Sequence, residues 1–272
     1  MTVQTVRAGD VDLDYELIDL TPPWNEAADT ILMHHGYARN MLFWQALVPH
    51  LAGQFRILRF NARGSTETSV MPRPDGYSIE QFSDDAMRLL DALGIARVHW
   101  IGESSGGIVG LSTALRHGSR LQSLTLCDTP FKRPDKMTAV YSAGEKDRGA
   151  AFDKFGVGEW CRRTLSVRLD TSRASAGLCE WYVAQMGRTP VPVAKALEHM
   201  IGAGNLWADL PRIATPTLIL AGANGIIADA AMTRDMRERL PSARLVRMEG
   251  YGHGVHVLAP QACAGEFCSF VQ

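Results

Sequence analysis

The sequence lacks the features that point to a membrane protein or a nucleic-acid-binding protein. Its 272 residues include no apolar run close to the roughly 20 residues that cross a bilayer, and the N-terminal segment has no signal-peptide pattern. A net charge of -1 gives no general attraction for nucleic acid or an anionic membrane surface. We therefore expect a small-molecule substrate, with no nucleic-acid partner and no membrane partner.

Cysteine pairs and metal-ligand patterns are absent as well. The five cysteines are odd in number and form no C-x-x-C pair, which predicts reduced thiols and favours a cytoplasmic location. No group of His, Cys, Asp or Glu residues has metal-ligand spacing, and the sequence contains neither a P-loop nor a dinucleotide-binding fingerprint. We expect a reaction that uses no metal and no cofactor.

The sequence does contain short apolar runs that alternate with helical patterns, which is typical of βα units around a mainly parallel sheet. The predicted strands are residues 11–17, 30–33, 55–60, 98–101, 121–127, 216–221 and 243–248, and the clearest predicted helices are residues 78–94 and 230–240. From about Phe131 to Asn205 the pattern is helical without a clear strand. We therefore expect one α/β domain, residues 1–272, with a helical lid inserted at residues 131–205.

The segment with the strongest chemical signal is Gly-Glu-Ser-Ser-Gly-Gly at residues 102–107, which fits the pattern G-x-S-x-G. It follows an apolar strand and precedes a helix-compatible run. A turn this tight crowds neighbouring backbones, so Gly102 and Gly106 remove Cβ atoms that would clash. Ser104 is therefore predicted to be a nucleophile exposed at the edge of the sheet, beside a helix N-terminus.

A serine hydroxyl becomes a strong nucleophile only when a base takes its proton. His253 is the candidate base because it follows the last predicted strand and has a glycine on each side. His256 is the competitor, but valines flank it, so we expect it to be a packed histidine with satisfied hydrogen bonds.

The developing oxyanion of an acyl-transfer reaction needs hydrogen-bond donors. The N–H of Ser105, directly after the nucleophile, is one candidate. The loop after the strand at residues 30–33 begins with His35 and Gly36, and the N–H of Tyr37 is the second candidate. We expect these two N–H groups to form an oxyanion hole.

These motifs, in this order, resemble the α/β-hydrolase superfamily, and most closely its branch of enol-lactonases, small esterases and C–C bond hydrolases. The resemblance covers residues 10–130 and 206–272. Its motifs are His35–Gly36, Asn61–Gly64, Gly102–Gly106, Gly252–His253 and Pro260. It implies an α/β-hydrolase fold with a mostly parallel central sheet flanked by helices, and a Ser-His-acid mechanism.

The third member of the triad departs from the usual pattern. In most members of the superfamily an Asp stands where this chain has Gly225, and glycine cannot orient an imidazole. Asp128, at the end of the strand at residues 121–127, is the favoured substitute, since some members carry the acid there. Asp229 is the alternative, although the start of the following helix explains it as an N-cap.

The resemblance implies hydrolysis of a small carboxylic ester, lactone or related acyl compound, by Ser104 as nucleophile, His253 as base and Asp128 as acid. One alternative is C–C bond hydrolysis of a vinylogous diketone, which would use the same residues. Another is cofactor-free dioxygenation of a heteroaromatic substrate by the His/Asp pair, a group whose Asn-x-Arg-Gly motif this chain shares at Asn61. Histidines flank the nucleophile in that group, whereas Glu103 and Ser105 stand here. A non-catalytic small-molecule receptor on the same scaffold is the last alternative.

The predicted insertion also contains arginines that could recognise a charged substrate. Arg162, Arg163 and Arg168 could bind a substrate carboxylate, but they could equally lie at the solvated surface. The sequence leaves these two roles open.

Overall fold

An eight-stranded sheet forms the centre of the computed structural model, which describes residues 2–25, 27–65 and 76–272. The strands are β1 Gln4–Ala8, β2 Val11–Ile18, β3 Thr30–His34, β4 Arg56–Phe60, β5 Val98–Glu103, β6 Leu121–Cys127, β7 Thr217–Gly222 and β8 Ala243–Met248. Their order across the sheet is β1-β2-β4-β3-β5-β6-β7-β8. β1 and β2 run antiparallel to their neighbours, and the remaining pairs are parallel. The mainly parallel sheet predicted from the sequence is confirmed.

The central strands are buried on both faces, as expected for strands covered by helices. Every residue of β3, β5 and β7 is buried. Parallel pairing aligns the ends of these strands: His34 pairs with Gly102, and Glu103 pairs with Cys127. The loops that follow β3, β5 and β6 therefore meet at one edge of the sheet.

Helices flank the sheet. In the described residues the α-helices are α1 Val48–Leu51, α2 Ile79–Ala92, α3 Ser105–His117, α4 Met137–Tyr141, α5 Arg148–Arg163, α6 Leu165–Arg168, α7 Ala176–Met186, α8 Val191–Ala203, α9 Ala230–Arg239, α10 Val255–Leu258 and α11 Pro260–Val271. The predicted helices at residues 78–94 and 230–240 are confirmed as α2 and α9. Ser78 caps α2 by accepting a hydrogen bond from the N–H of Gln81.

Between β6 and β7 the chain forms α4 to α8, in the segment where the sequence predicts a helical insertion. A bridge between Lys132 and Asn205 joins the two ends of this segment. The segment also contacts the loop after β3, where the hydroxyl of Tyr37 donates a hydrogen bond to the carbonyl of Ala194 at 2.7 Å. The division into one domain with a lid at residues 131–205 stays a prediction.

Candidate active site

Ser104 stands in a strained turn between β5 and α3. Its backbone has φ 51° and ψ -118°, a conformation that residues other than glycine rarely adopt. Its N–H donates a hydrogen bond to the carbonyl of Cys127 at 3.0 Å, which fixes the turn against the end of β6. The strand-turn-helix context predicted for G-x-S-x-G is confirmed, and Ser104 lies at the N-terminus of α3.

The glycines around Ser104 permit a close approach of backbones. A Cβ at Gly102 would lie 2.5 Å from the carbonyl oxygen of Gly106. A Cβ at Gly106 would collide with the carbonyl oxygens of His34 and His35. The steric reason for both glycines, predicted from the sequence, is therefore confirmed, and the turn packs directly on the loop after β3.

His35 holds that loop in place as a neutral side chain. Its Nε2 accepts a hydrogen bond from the N–H of Ala62 at 3.0 Å, while its Nδ1 lies 2.9 Å from the carbonyl of Gly36. Because the ring is buried, its pKa is lowered to about 3. Asn61 is also structural, since its side-chain oxygen accepts a hydrogen bond from the N–H of Met41. These contacts fix the backbone that leads to Tyr37.

His253 lies in the loop between β8 and α10, and Gly254 beside it has φ 98°, a left-handed conformation that favours glycine. Asp170 of the inserted segment holds this loop by two hydrogen bonds. Its carboxylate accepts from the N–H of Gly252 at 2.8 Å, and its own N–H donates to the carbonyl of His253 at 2.9 Å. Gly254 therefore allows the left-handed turn after His253, and Gly252 donates its N–H to Asp170. Both glycines help to place the loop, as the sequence predicts.

The His253 ring contacts a carboxylate that the sequence analysis did not consider. Its Nε2 lies 3.2 Å from Oε1 of Glu103, and Glu103 forms a buried ion pair with Arg39. An ionised carboxylate can only accept, so the proton of the ring is assigned to Nε2 and the lone pair to Nδ1. Among the described residues, no hydrogen-bond partner faces Nδ1, and no hydrogen bond joins the ring to Ser104. Catalytic hydrogen bonds often tighten only in the complex with substrate.

Burial is the largest influence on the ionisation of His253. It lowers the pKa of the ring well below its usual value, and the positive charges of Arg39 and Arg168 act in the same direction. The imidazole is therefore neutral at physiological pH, which is the form that can accept a proton.

The carboxylate of Asp128 holds the His253 loop through its backbone. It accepts hydrogen bonds from the N–H groups of Gly254 at 2.7 Å and Val255 at 2.9 Å, and a third from Gly222 at 2.9 Å. Burial raises the pKa of Asp128, although these three donors act to lower it. The contact expected between Asp128 and the imidazole itself does not occur in this conformation, and the hydrogen bonds of its carboxylate go to these three backbone N–H groups. The role of Asp128 as the triad acid stays a prediction.

The two other positions considered for the acid have local structural roles. Asp229 caps α9 by accepting a hydrogen bond from the N–H of Met232 at 2.9 Å, and it pairs with Lys136. The N-cap interpretation of Asp229 is confirmed. Gly225 closes a tight turn in which its N–H donates to the carbonyl of Gly222.

His256 is packed, as the sequence predicts, but its hydrogen bonds are not satisfied. Its ring lies 4.9 Å from that of Trp44, and the side chain is buried. Neither ring nitrogen has a hydrogen-bond partner among the described residues, so that part of the prediction is wrong. Burial lowers the pKa of the ring well below its usual value.

One pocket brings together Ser104, His253, Ser105 and Tyr37, the residues predicted to act as nucleophile, base and oxyanion-hole donors. The catalytic roles of these residues stay predictions.

Four arginines line the same pocket, namely Arg39, Arg133, Arg148 and Arg168. Of these four, only Arg168 is among the arginines for which the sequence suggests substrate binding. Arg162 and Arg163, the other two such arginines, pair with Glu180 and Glu159 on half-exposed side chains outside the pocket.

Within residues 2–25, 27–65 and 76–272, no three or more His, Cys, Asp or Glu side chains are placed to hold a metal ion. In the same residues, no helix has the length and apolarity needed to span a bilayer.

Comparison with known proteins gives one family. A family model described as alpha/beta hydrolase fold matches residues 29–260. A protein from Stutzerimonas stutzeri (strain A1501), provisionally named carbamate hydrolase RutD, is 29% identical over 245 residues, which are 85% of this chain and 86% of that protein. A protein of the same provisional name from Caulobacter sp. (strain K31) is 27% identical and covers 98% of both chains.

Solved structures agree with these matches. A hydrolase from Pseudomonas aeruginosa PA01 superposes with a TM-score of 0.86 at 28% identity, over 99% of this chain and 98% of that chain. The enol-lactonase from Burkholderia xenovorans LB400 superposes with a TM-score of 0.87 at 22% identity, over 98% of this chain and 99% of that chain, and this likeness shows the fold alone. The resemblance to the α/β-hydrolase superfamily that the motifs indicate is confirmed.

Proposed function

Because the chain belongs to the alpha/beta hydrolase fold family, we propose that it is a serine hydrolase that cleaves a small carboxylic ester, lactone or related acyl compound. One observation carries the proposal. Ser104 occupies a strained turn at the N-terminus of α3 and lines one pocket with His253, a buried histidine whose pKa is lowered. A nucleophile that lines the same pocket as a neutral base is the arrangement that acyl transfer requires.

In the proposed first step, Ser104 Oγ attacks the acyl carbon while His253 takes the hydroxyl proton. The imidazolium then gives this proton to the leaving group, and an acyl-enzyme remains. In the second step, His253 takes a proton from water, which attacks the acyl carbon. The imidazolium returns this proton to Ser104 Oγ as the bond to the acyl carbon breaks, which releases the acid and free Ser104. Each step returns the imidazole to its neutral form, which its buried surroundings favour.

The developing negative charge on the acyl oxygen would be bound by the N–H groups of Ser105 and Tyr37. Ser105 is the first residue of α3, so its N–H has no partner within the helix and lies at the positive end of the helix dipole. The contacts of His35 and Asn61 support a fixed position for Tyr37. Preorganised hydrogen-bond donors make the main electrostatic contribution to stabilising the transition state of acyl transfer.

Two carboxylates are proposed to position His253. Glu103 would hold the ring and its tautomer, since its Oε1 lies 3.2 Å from Nε2. Asp128 would hold the loop, since it binds the two N–H groups that follow His253 in the chain. Asp128 remains the acid proposed for the triad, with its influence exerted through the backbone in the free enzyme.

The names of the relatives extend the class of candidate substrates. Relatives at 29% and 27% identity are provisionally named as carbamate hydrolases. A carbamate carbonyl is attacked by the same nucleophile and needs the same oxyanion donors as an ester. We therefore include small carbamates with esters and lactones in the substrate class.

The experiment that tests the function is the intact mass of the protein after incubation with a small fluorophosphonate. One adduct is expected on the wild type and on the Ser242→Ala control, which removes an exposed hydroxyl. No adduct is expected on Ser104→Ala. A folded wild type that takes up no adduct would contradict the acyl-enzyme mechanism, and oxygen uptake would then test the dioxygenase alternative.

A further inference from the structure

Arg168 is a buried cation that lacks an ionic partner beside the candidate catalytic residues. Its side chain is 4% exposed, and it lines the pocket that contains Ser104 and His253. In the described part of the chain, its Nη2 has no hydrogen-bond partner and no carboxylate lies within ion-pair distance of its guanidinium. Leaving a buried charge unpaired is costly, so the position calls for an explanation.

The other arginines of the pocket each form an ion pair with a carboxylate of the protein. Glu103 pairs with Arg39, and Glu198 pairs with both Arg133 and Arg148. Among the four arginines of this pocket, Arg168 is therefore the one that forms no ion pair with a described carboxylate.

The protein nevertheless holds Arg168 in a fixed position. Its Nε donates a hydrogen bond to the hydroxyl of Thr164 at 3.1 Å. Its guanidinium carbon lies 4.0 Å from the ring centre of Trp160 and 4.6 Å from that of Tyr141. Aromatic faces stabilise a cation in part, but they do not satisfy the N–H groups at its edge.

We propose that Arg168 binds a carboxylate of the substrate, which makes the preferred substrate an acyl compound with a separate anionic group. A planar guanidinium presents paired N–H donors that match the two oxygens of a carboxylate. The nature of the acyl bond rests on the proposed function, whereas the anion site rests on the burial and missing partner of Arg168.

The kinetic test compares two esters with acyl chains of equal length, 4-nitrophenyl hemiglutarate and neutral 4-nitrophenyl valerate. The readout is the ratio of their kcat/KM values. We expect the wild type to favour the anionic ester by about 10–100-fold, the range for charge-assisted hydrogen bonds. Arg168→Met should lower this ratio at least tenfold, because it keeps much of the apolar stem and removes the charge.

Arg162→Met is the matched control, because Arg162 is half-exposed and pairs with Glu180 outside the pocket. It should keep the wild-type ratio. Arg168→Lys should give an intermediate ratio, since it keeps the charge without the paired donors. If circular dichroism shows that Arg168→Met does not fold, Arg168→Lys is the variant that tests the proposal. A wild-type ratio in Arg168→Met, or in Arg168→Lys when that variant alone folds, would overturn the proposal.

A calorimetric titration separates the anion site from the hydrolase function. Glutarate should bind the wild type at least tenfold more tightly than the neutral glutaramide, and Arg168→Met should abolish this difference. If the fluorophosphonate fails to label Ser104, this binding result still supports the anion site and only the hydrolase function fails. If Ser104 is labelled and the wild type prefers neither glutarate nor the anionic ester, the hydrolase function stands and the anion site is overturned.

Discussion

Oε1 of Glu103 lies 3.2 Å from Nε2 of His253, so the residue that precedes the candidate nucleophile contacts the candidate base. Both side chains are buried, and the second oxygen of Glu103 pairs with Arg39. Two opposite charges therefore act on His253: the carboxylate of Glu103, which favours the protonated ring, and the guanidinium of Arg39, which disfavours it. We expect the basicity of His253 to depend on both groups.

Glu103→Gln is expected to move the acid limb of the pH profile of kcat/KM to lower pH. The substitution removes a carboxylate 3.2 Å from Nε2, which would stabilise the imidazolium, and it leaves Arg39, whose charge lowers the pKa of His253, without its ionic partner, so we expect that pKa to fall further. A weaker base should also reduce kcat by about tenfold, part of the 10²–10⁴ that general base catalysis contributes. The profile is measured with a 4-nitrophenyl ester from pH 9 down to the lowest pH at which both proteins stay folded, so that it includes the acid limb.

Glu16→Gln is the matched control for this prediction. Glu16 forms a buried ion pair with Arg59 in the antiparallel part of the sheet, away from the pocket. Both substitutions should lower thermal stability, since each leaves a buried arginine without its partner. Only Glu103→Gln should change the pH profile, and an unchanged profile in that variant would show that Glu103 does not influence the base.

Asp128→Asn is expected to lower kcat by about 100-fold or more, a loss within the range seen when a triad acid is replaced by its amide. The carboxylate accepts from three backbone N–H groups, and an amide would direct its own N–H groups at one or more of them. The His253 loop would then shift. Asp229→Asn should change kcat less than about threefold, because asparagine is an equally good N-cap. The reverse ranking of the two variants would refute the assignment of Asp128.

Much of the fold could be predicted from the sequence because its apolar runs end at clear turn signals. β6 and β8 have the bounds that the sequence predicts. The sequence also predicts that Ser104 and His253 lie near each other, since parallel strands bring their carboxyl ends to one edge of the sheet, and the two residues do line one pocket. β1 was not predicted, and it pairs with β2 as an edge strand whose residues are mostly exposed. An exposed edge strand gives a weak hydrophobic pattern.

The charged contacts of the site could not be predicted from the sequence in the same way. Glu103 and Arg39 are far apart in the chain, and no local pattern indicates that two charges will be buried together. The arginines of the insertion show the same limit. Arg162 and Arg168 occur in similar helical sequence, but tertiary packing exposes the first and buries the second against Trp160. Local periodicity cannot distinguish these two environments.

Gly106→Ala is expected to destabilise the protein by about 3 kcal/mol, at the upper end for overpacking, because the new Cβ would meet rigid backbone rather than a mobile side chain. The carbonyl oxygens of His34 and His35 occupy that space. Gly53→Ala is the control, since a Cβ there would meet no atom within 4 Å. Urea unfolding of both variants measures the difference. Equal stability would show that the turn and the loop after β3 can move apart freely.

The protein is expected to lose stability as the pH falls below 6.5, because His34 and His35 are buried as neutral rings. Burial lowers the pKa of His34 to about 4 and that of His35 to about 3. Protons therefore bind the unfolded chain first, and each histidine removes about 1.4 kcal/mol per pH unit below 6.5 until its folded pKa is reached. From pH 6.5 to 4.5 the two together remove roughly 5 kcal/mol from the free energy of unfolding. His253 and His256, whose pKa burial also lowers, add to this loss, and Asp128, whose pKa burial raises, acts in the opposite direction, so the decisive comparison is between variants. In urea unfolding at the two pH values, His35→Gln should lose about 2–3 kcal/mol less than the wild type, whereas His50→Gln, at an exposed position, should lose as much as the wild type. An equal loss in all three proteins would mean that His35 is not held in its neutral form.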